Sequence, residues 1–194
     1  MMDIFQQRRD WLSQQLDHDG VVILVGNTAK TRSKNINYHF RGDNDLYYMT
    51  GFTEPDAVAV LRPGHDHAFV LFVRPNDAQA ETRFGVRAGL SGAKTSFNAN
   101  HAYAIGELEQ ELPKLLMGRS KVYYHDEQGI YSDKIIDWLN LQRRSTGFDT
   151  IKEYRQVLPL APILHNKRVL KSDEEITLIR QAVKASAAAH KKVM

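Results

Sequence analysis

The chain contains several short runs of apolar residues, and their strand-like length restricts it to folds that bury a β-sheet. Residues 20–26 (GVVILVG) are apolar throughout and flanked by glycine, which is typical of a strand buried on both faces. Residues 56–64 (DAVAVLRPG), 67–73 (HAFVLFV) and 121–125 (KVYYH) predict three more strands, and residues 62–67 predict a turn between two of them. No run approaches the ~18 apolar residues of a membrane span, so we expect no membrane partner.

Helical spacing of apolar residues marks most of the segments between and after these strands. Helices are predicted over residues 3–16, 76–83, 103–118, 132–144 and 172–194. The second is a short helix that begins at Asn76 or Asp77, and the others show helical spacing of apolar residues. In the helix at 132–144, the residues expected to face the core are Ile135, Ile136, Trp138 and Leu139. Ser172 and Glu175 form a capping box that fixes the start of the last helix. Strands mixed with helices predict an α/β fold with a mixed β-sheet flanked by helices.

Other segments lack helical spacing. Residues 44–52 (NDLYYMTGF) alternate in side-chain direction and are predicted as a strand, with Asp43 in the turn before it and Gly51 at its end. Three glycines in residues 83–92 (RFGVRAGLSG) predict a loop rather than a packed helix. The remaining segments are predicted as a polar loop (27–35) and as connections with one short strand (150–171).

Composition excludes several classes of function. The length of 194 residues suits one domain and the start of a second. Cysteine is absent, which excludes disulfides, thiolate zinc sites and a cysteine nucleophile within the chain. This absence is compatible with a reducing cytoplasm, where we expect the protein to reside. The net charge of +3 is small and forms no basic stripe, so no nucleic-acid partner is expected.

The individual residues give no convincing catalytic or metal-binding motif. Asp43, Asp45 and Glu54 fit three positions of an EF-hand, but Tyr48 stands where its turn requires glycine. A His-Asp-His segment (65–67) lies in a predicted turn and lacks further ligands. We therefore predict no catalytic residue, no metal ligand and no cofactor within this chain.

One long segment, residues 38–61 (YHFRGDNDLYYMTGFTEPDAVAVL), resembles the N-terminal domain of bacterial aminopeptidase P, the Xaa-Pro aminopeptidases of the creatinase/prolidase family. The matching residues are Tyr38, Phe40, Arg41, Asp43, Asn44, Asp45, Tyr48, Thr50, Gly51, Phe52, Glu54 and Pro55. The resemblance extends to residues 84–89 (FGVRAG), 122–125 (VYYH) and 165–176 (HNKRVLKSDEEI). Arg41 is expected to pair with Asp43, Asp45 or another acid of the domain.

This resemblance implies an N-terminal α/β domain over residues 1–170 and a helix over residues 171–194 that leads into a pita-bread catalytic domain outside this chain. In the family, that catalytic domain holds two metal ions, usually manganese, with two Asp, one His and two Glu. The implied protein removes the N-terminal residue from peptides with proline second. The N-terminal domain shapes the active-site entrance and the contacts of a homo-oligomer, so the implied partners are its own catalytic domain, further copies of itself and a peptide.

Two site residues follow from the resemblance, Arg83 and Arg87. They lie on the family loop that approaches the active site of a neighbouring subunit, where they would form a substrate entrance or a subunit contact. Related bacterial enzymes usually have tryptophan at the position of Arg83 in this sequence, so this part of the pocket wall differs. For Arg87, a solvated surface arginine is an equally weighted alternative.

Two functional hypotheses stay open at this point. The first is the N-terminal domain of a dimetal Xaa-Pro aminopeptidase, and the bacterial-type motifs favour it. The second is a pseudo-peptidase interaction module, because the same architecture serves without catalysis in histone-chaperone subunits. The sequence following Met194 in a longer protein distinguishes the two, since only an active peptidase retains the metal ligands.

Overall fold

A computed structural model of the chain describes residues 4–17, 19–126, 129–145 and 156–194. The chain divides into two compact units, Met1–Leu160 and Ala161–Met194. The first unit contains the sheet and its covering helices, and the second contains two helices.

The first unit alternates strands with helices, as the apolar pattern predicts. Its strands are β1 (Gly20–Val25), β2 (Thr31–Ser33), β3 (Ile36–Asn37), β4 (Val58–Leu61), β5 (Phe69–Val73), β6 (His101–Ala104), β7 (Lys121–His125) and β8 (Gln156–Pro159). Its helices are α1 (Ile4–Gln15), α2 (Asn44–Thr50), α3 (Ala78–Phe84), α4 (Gly89–Thr95), α5 (Leu108–Leu115) and α6 (Ser132–Ser145), with a 3-10 turn at Ile105–Glu107.

Within the described residues, six strands form a mixed sheet in the order β6-β5-β4-β1-β7-β8, and β2 pairs with β3 in a separate hairpin. Strand β4 is antiparallel to its neighbours β1 and β5. The pairs β1–β7, β7–β8 and β5–β6 are parallel. Consequently β1, β5, β6, β7 and β8 all point the same way, and their carboxyl ends lie along one edge, called here the carboxyl edge. The predicted α/β fold with a mixed sheet flanked by helices is confirmed.

Helices cover both faces of the sheet. On one face, α5 and α6 bury Leu112 and Trp138 against alternate residues of β1 such as Val21 and Ile23. The intervening residues of β1 point to the other face, where α2 packs on β1 and β4. Full burial of one such apolar side chain stabilises the fold by about 1.5–3 kcal/mol. Because β1 is buried along its whole length, it occupies an inner position of the sheet, between β4 and β7.

Two arginines of α1 fasten this helix to α2. Arg9 is buried, donates to the carbonyl of Met49 at 3.0 Å and lies 4.2 Å from the ring centre of Phe69. Arg8 donates to the carbonyl of Tyr48 at 2.9 Å and stacks 3.8 Å above its ring. These contacts satisfy carbonyls near the end of α2, where a helix lacks its own donors.

The second unit consists of α7 (Ala161–Val169) and α8 (Asp173–Val193). The predicted capping box is present, since Ser172 accepts from the backbone of Glu175 and the Glu175 side chain accepts from the backbone of Ser172. The predicted apolar stripe of α8 consists of Ile176, Ile179, Val183 and Ala187. Ile176 is half-buried, whereas Ile179 and Val183 retain 50% and 59% of full accessibility.

The prediction of a strand over residues 44–52 is wrong, because residues Asn44–Thr50 form α2. Asp43 caps the helix by accepting from the backbone of Asp45 and Leu46. Gly51 ends it in the left-handed conformation at φ 71°, which glycine adopts at low cost.

Several loops predicted from sequence are more regular than expected. Residues 31–37 contain the hairpin of β2 and β3. Strand β6 includes the first two residues of the helix predicted at 103–118, and α5 begins only at Leu108. Residues 89–95 form α4, which the glycines had argued against, and α7 occupies a segment predicted as a connection. In α6, Ile135 and Trp138 are buried as predicted. Ile136 is exposed, and the side chain of Leu139 lies outside the described part, as do residues 150–155.

Candidate functional site

The carboxyl edge of the sheet gathers polar residues from distant parts of the chain. Asn27 follows β1, Arg74 follows β5 and Asp126 follows β7. In open α/β sheets, ligands bind in the crevices outside the carboxyl ends of the strands. This edge is therefore where a functional site is expected.

A buried cluster of Asp43, Asp45 and His125 lies at the carboxyl edge, where the start of α2 meets the end of β7. His125 Nε2 is 3.7 Å from Asp43 Oδ2 and 3.6 Å from Asp45 Oδ2. Both aspartates are 2% exposed. Asp43 Oδ1 also accepts from the backbone nitrogens of Asp45 at 3.0 Å and Leu46 at 2.7 Å. One carboxylate thus caps α2 and pairs with the imidazole.

The surroundings of Asp43 favour its ionised form. Burial alone would raise the pKa of this carboxyl, but the nearby imidazole of His125 and the hydrogen bonds from the backbone of Leu46 and Asp45 outweigh it. The pKa of Asp43 therefore lies below its ordinary value of 3.8. The cluster connects the start of α2 to the end of β7.

The cluster does not have the arrangement of a metal centre. Across residues 4–17, 19–126, 129–145 and 156–194, no group of three His, Asp or Glu side chains is placed to hold a metal ion. Asp43 directs one oxygen to backbone N–H groups and the other to His125. The metal ions that the family implies do not fit these residues, and we assign no metal chemistry to them.

Asp126, the polar residue that follows β7, accepts hydrogen bonds from residues close to it in the sequence. Its Oδ2 accepts from the hydroxyl of Tyr124 at 2.6 Å and from the backbone of Tyr131 at 2.8 Å. Burial, followed by the bond to Asp126, raises the pKa of Tyr124. Asp126 therefore organises the turn between β7 and α6.

An exposed loop, residues 84–88, starts at the last residue of α3 and leads into α4. The predicted site residue Arg83 precedes this loop, and Arg87 lies within it. Phe84 is 71% exposed and Val86 is 87% exposed, so the loop presents apolar side chains to solvent. Arg83 is also exposed, at the end of α3. Gly85 has φ 90° and ψ 163°, a conformation that a residue with a Cβ adopts only with strain.

Hydrogen bonds connect Arg87 to the segment that precedes α3. Its Nη1 donates to the carbonyl of Pro75 at 3.1 Å, and its own carbonyl accepts from Asn76 Nδ2 at 3.0 Å. Asn76 Nδ2 also donates to Glu81 Oε1 at 2.9 Å. This bond, with a smaller contribution from the Arg87 backbone, lowers the pKa of the Glu81 carboxyl below its ordinary value of 4.5.

A second acid anchors the far end of this loop. Glu54 Oε1 accepts from the backbone nitrogen of Ala88 at 2.6 Å, and Glu54 Oε2 lies 3.5 Å from Arg74 Nη2. Glu54 belongs to the motif at 38–61, so its carboxylate connects that motif to the loop. The loop is thus held at residues 87 and 88, while residues 84–86 project outward.

A groove of about 200 Å³ opens beyond the carboxyl end of β1. One wall is formed by Asn27, Thr28 and Lys30, and the other by residues 38–41 (YHFR). Arg41 donates to Asn44 Oδ1 at 3.3 Å rather than forming the expected pair with Asp43 or Asp45. The groove therefore combines aromatic and basic side chains.

The sequence interpretation missed the Asp-Asp-His cluster and the groove. Asp43 was predicted in a turn and His125 at the end of a strand. The two residues are 82 positions apart in the chain, and their meeting depends on the packing of α2. The polar composition of residues 27–35 hid the groove. A signal was nonetheless present, since Asp43 followed by apolar residues at positions 46 and 49 suits a capped helix.

Comparisons with known proteins agree with this fold. Residues 5–123 match the family model for the aminopeptidase P N-terminal domain. The chain is 33% identical to the Xaa-Pro aminopeptidase of Escherichia coli over 193 residues, which cover 98% of this chain and 44% of that protein. It is 30% identical to the Xaa-Pro aminopeptidase of Haemophilus influenzae over 98% of this chain and 42% of that protein.

Solved structures give the same result. The structure of aminopeptidase PepP from Pseudomonas aeruginosa superimposes with a TM-score of 0.90 at 34% identity, covering 96% of this chain and 42% of that one. The fold and the polar residues at its carboxyl edge thus define a mixed α/β domain of the aminopeptidase P type. The chain belongs to the aminopeptidase P N-terminal domain family. It spans less than half the length of these relatives.

None of the helices in the described ranges has both the length and the apolar character needed to cross a lipid bilayer.

Proposed function

We propose that this chain is the N-terminal, non-catalytic domain of a metal-dependent Xaa-Pro aminopeptidase, which removes the N-terminal residue from peptides with proline second. The observation that carries the proposal is similarity along 98% of this chain to a protein named as such an enzyme, of which it matches 44%. In this proposal residues 1–170 are the domain proper and residues 171–194 lead into the catalytic domain. Two divalent metal ions, manganese by family analogy, belong to that catalytic domain, and the protein works in the cytoplasm.

The exposed stripe of α8 supports a second domain. Ile179 and Val183 are half or more exposed on a helix of 21 residues. An amphipathic helix gains most of its stability by burying its apolar face. In the proposed protein, the catalytic domain covers this face.

The projecting loop supports a role in the substrate entrance or in the subunit contact. Phe84 and Val86 present apolar surface, and Arg83 and Arg87 add a guanidinium at each end of the loop. A guanidinium binds carboxylates in a planar, bidentate manner. We assign Arg83 and Arg87 to the entrance or to contacts within a homo-oligomer.

The activity is tested on the longer protein that carries this domain. We expect release of the N-terminal residue from peptides with proline second, slower release from matched peptides with alanine second, and loss of activity with a chelator that manganese reverses. A stable protein that cleaves neither peptide with any divalent metal would contradict the proposal. It would favour the non-catalytic interaction module.

The loop is tested with Arg87→Ala in the same protein. We expect impaired peptide turnover or impaired oligomer assembly, with the free energy of unfolding changed by no more than about 0.5 kcal/mol. Lys94→Ala, an exposed cation on α4, is the matched control and should leave turnover and assembly unchanged. If Arg87→Ala assembles and cleaves like the wild type, the loop is only a connection.

A further inference from the structure

The chain has an unusual stretch of uncompensated positive charge. Residues 20–42 contain Lys30, Arg32, Lys34 and Arg41 but no Asp or Glu. The chain as a whole carries 26 basic and 23 acidic residues, so this segment departs from an otherwise balanced composition. Like charges brought together repel each other and raise the local affinity for anions.

The fold concentrates part of this charge at the groove beyond β1. Lys30 from the segment 27–30, and His39 and Arg41 from the segment 38–41, all line the groove. Two hydrogen bonds fix the walls. The backbone nitrogen of Tyr38 donates to the carbonyl of Lys30 at 2.9 Å, and Asn27 Nδ2 donates to the carbonyl of Arg41 at 3.0 Å. These bonds hold the backbone of Lys30 next to Tyr38 and the backbone of Arg41 next to Asn27.

Carboxylates in the described part of the chain do not pair with the basic groups that line the groove. Over the described ranges, Lys30, His39 and Arg41 form no ion pair with a carboxylate. Arg41 contacts the neutral amide oxygen of Asn44, which orients the guanidinium and leaves most of its five donors. The nearest acid in sequence, Asp43, is engaged with His125 and the start of α2.

The size of the groove limits the ligand. Pockets for drug-sized molecules occupy about 300–1,000 Å³, whereas this groove offers about 200 Å³. That space suits one amino-acid side chain better than a nucleotide. The aromatic side chains of Tyr38, which is 60% exposed, and Phe40 supply apolar walls for the carbon atoms next to a carboxylate.

We propose that the groove formed by Asn27, Thr28, Lys30 and residues 38–41 binds a peptide carboxylate, carried either by an Asp or Glu side chain or by a C-terminal residue. Arg41 and Lys30 bind the two carboxylate oxygens from opposite walls, and Tyr38 and Phe40 contact the chain that carries it. The site lies wholly within this chain. It does not depend on the peptidase activity proposed above.

Binding is tested by NMR titration of the isotope-labelled 194-residue chain with short N-acetylated peptides, which no aminopeptidase cleaves. One peptide carries an internal Glu and an amidated C-terminus, and its control has Gln in place of Glu. A second has a free C-terminal carboxylate and no acidic side chain, and its control is amidated. We expect shifts around the groove for one or both acidic peptides, at least tenfold weaker binding of the matched neutral peptides, and weakening by added salt.

Variants locate the site. Lys30→Gln and Arg41→Gln should each weaken binding of the acidic peptide at least tenfold. Arg32→Gln and Lys34→Gln, cations of the same segment that do not line the groove, should weaken it less than twofold, and circular dichroism checks that each variant folds. Three results would overturn the proposal: no binding of either acidic peptide, equal losses in all four variants, or inorganic phosphate binding as tightly as the peptides.

Discussion

At the scale of single residues, Asp43 has the largest influence on the carboxyl edge. It caps α2 through Oδ1 and faces His125 through Oδ2. An N-cap contributes about 0.5–2 kcal/mol to the free energy of unfolding. Removing one member of a buried charged pair destabilises a protein by more than the pair stabilises it, because the other member stays buried without a partner. Losing Asp43 should therefore affect both the local helix and its attachment to β7.

The charge of Asp43 gives a pH-dependent prediction. Because its pKa in the folded protein lies below 3.8, its contribution to stability is present at higher pH and is lost as the pH falls through the folded pKa. Asp43→Asn keeps an oxygen for the cap but removes the charge. We expect the variant to be less stable than the wild type at about pH 7, with the difference shrinking toward about pH 3. Urea unfolding across this range measures it.

The matched control is Asp77→Asn, because Asp77 caps α3 in the same way but is exposed. At neutral pH, Asp77→Asn should lower the free energy of unfolding by less than Asp43→Asn does. A stability difference for Asp43→Asn that stays constant down to about pH 3 would show that its charge is not what stabilises the fold.

Gly51 gives a second prediction at this scale. Its φ of 71° is left-handed, and a Cβ there would lie 2.7 Å from Cε2 of Phe5. Gly51→Ala should lower the free energy of unfolding by at least about 1 kcal/mol, since a left-handed backbone alone costs that much for a residue with a side chain. Gly106→Ala, where nothing lies within 4 Å and φ is ordinary, is the control. Equal stability of the two variants in denaturant titrations would contradict the argument.

At the scale of elements, the sequence predicts structure well where the signal is local. The apolar runs of β1, β4 and β5 need no distant partner to be recognised, and the caps Asp77 and Ser172 act within three residues. Helix α2 was predicted wrongly because Leu-Tyr-Tyr-Met-Thr fits a strand and a helix equally well. Its helical state depends on burial of Leu46 and Met49. In α4, burial of Gly89 and Ala93 outweighs the poor helix propensity of glycine.

The loop 84–88 gives a prediction at this scale, because Glu54 holds it from a distant element. Its bond to the Ala88 backbone is 2.6 Å long and charge-assisted. Glu54→Ala should speed hydrogen exchange of the Ala88 amide about tenfold, which corresponds to about 1.4 kcal/mol for the bond. Glu111→Ala, which removes a pair with Lys114 on α5, is the control and should leave Ala88 unchanged. Unchanged exchange in Glu54→Ala would mean that Asn76 and Arg87 suffice to hold the loop.

At the scale of the whole molecule, the functional edge could not be read from the sequence, because it is assembled by topology. Five strands pointing the same way bring the ends of β1, β5 and β7 together, although the sequence separates them by about 50 residues each. Arg83 and Arg87 were named through family resemblance alone. The role of Glu54 in anchoring their loop had no sequence signal.

The exposed stripe of α8 gives the last prediction, which concerns the relation of this chain to a longer protein. In the isolated chain, the double substitution Ile179→Ser and Val183→Ser should change the free energy of unfolding by less than about 0.5 kcal/mol, as for exposed positions. Leu112→Ala in the core should cost about 2–5 kcal/mol.

In the longer protein, the same double serine variant should be clearly destabilised, because we propose that another domain buries this stripe there. The matched control is Arg180→Ser with Lys184→Ser, one position further along the same exposed helix. It should be neutral in both proteins, since it lies off the apolar stripe. Thermal and chemical unfolding of both variants, in the isolated chain and in the longer protein, measure whether the stripe is buried in the longer protein. If the stripe variant is neutral in the longer protein too, α8 does not pack against a catalytic domain.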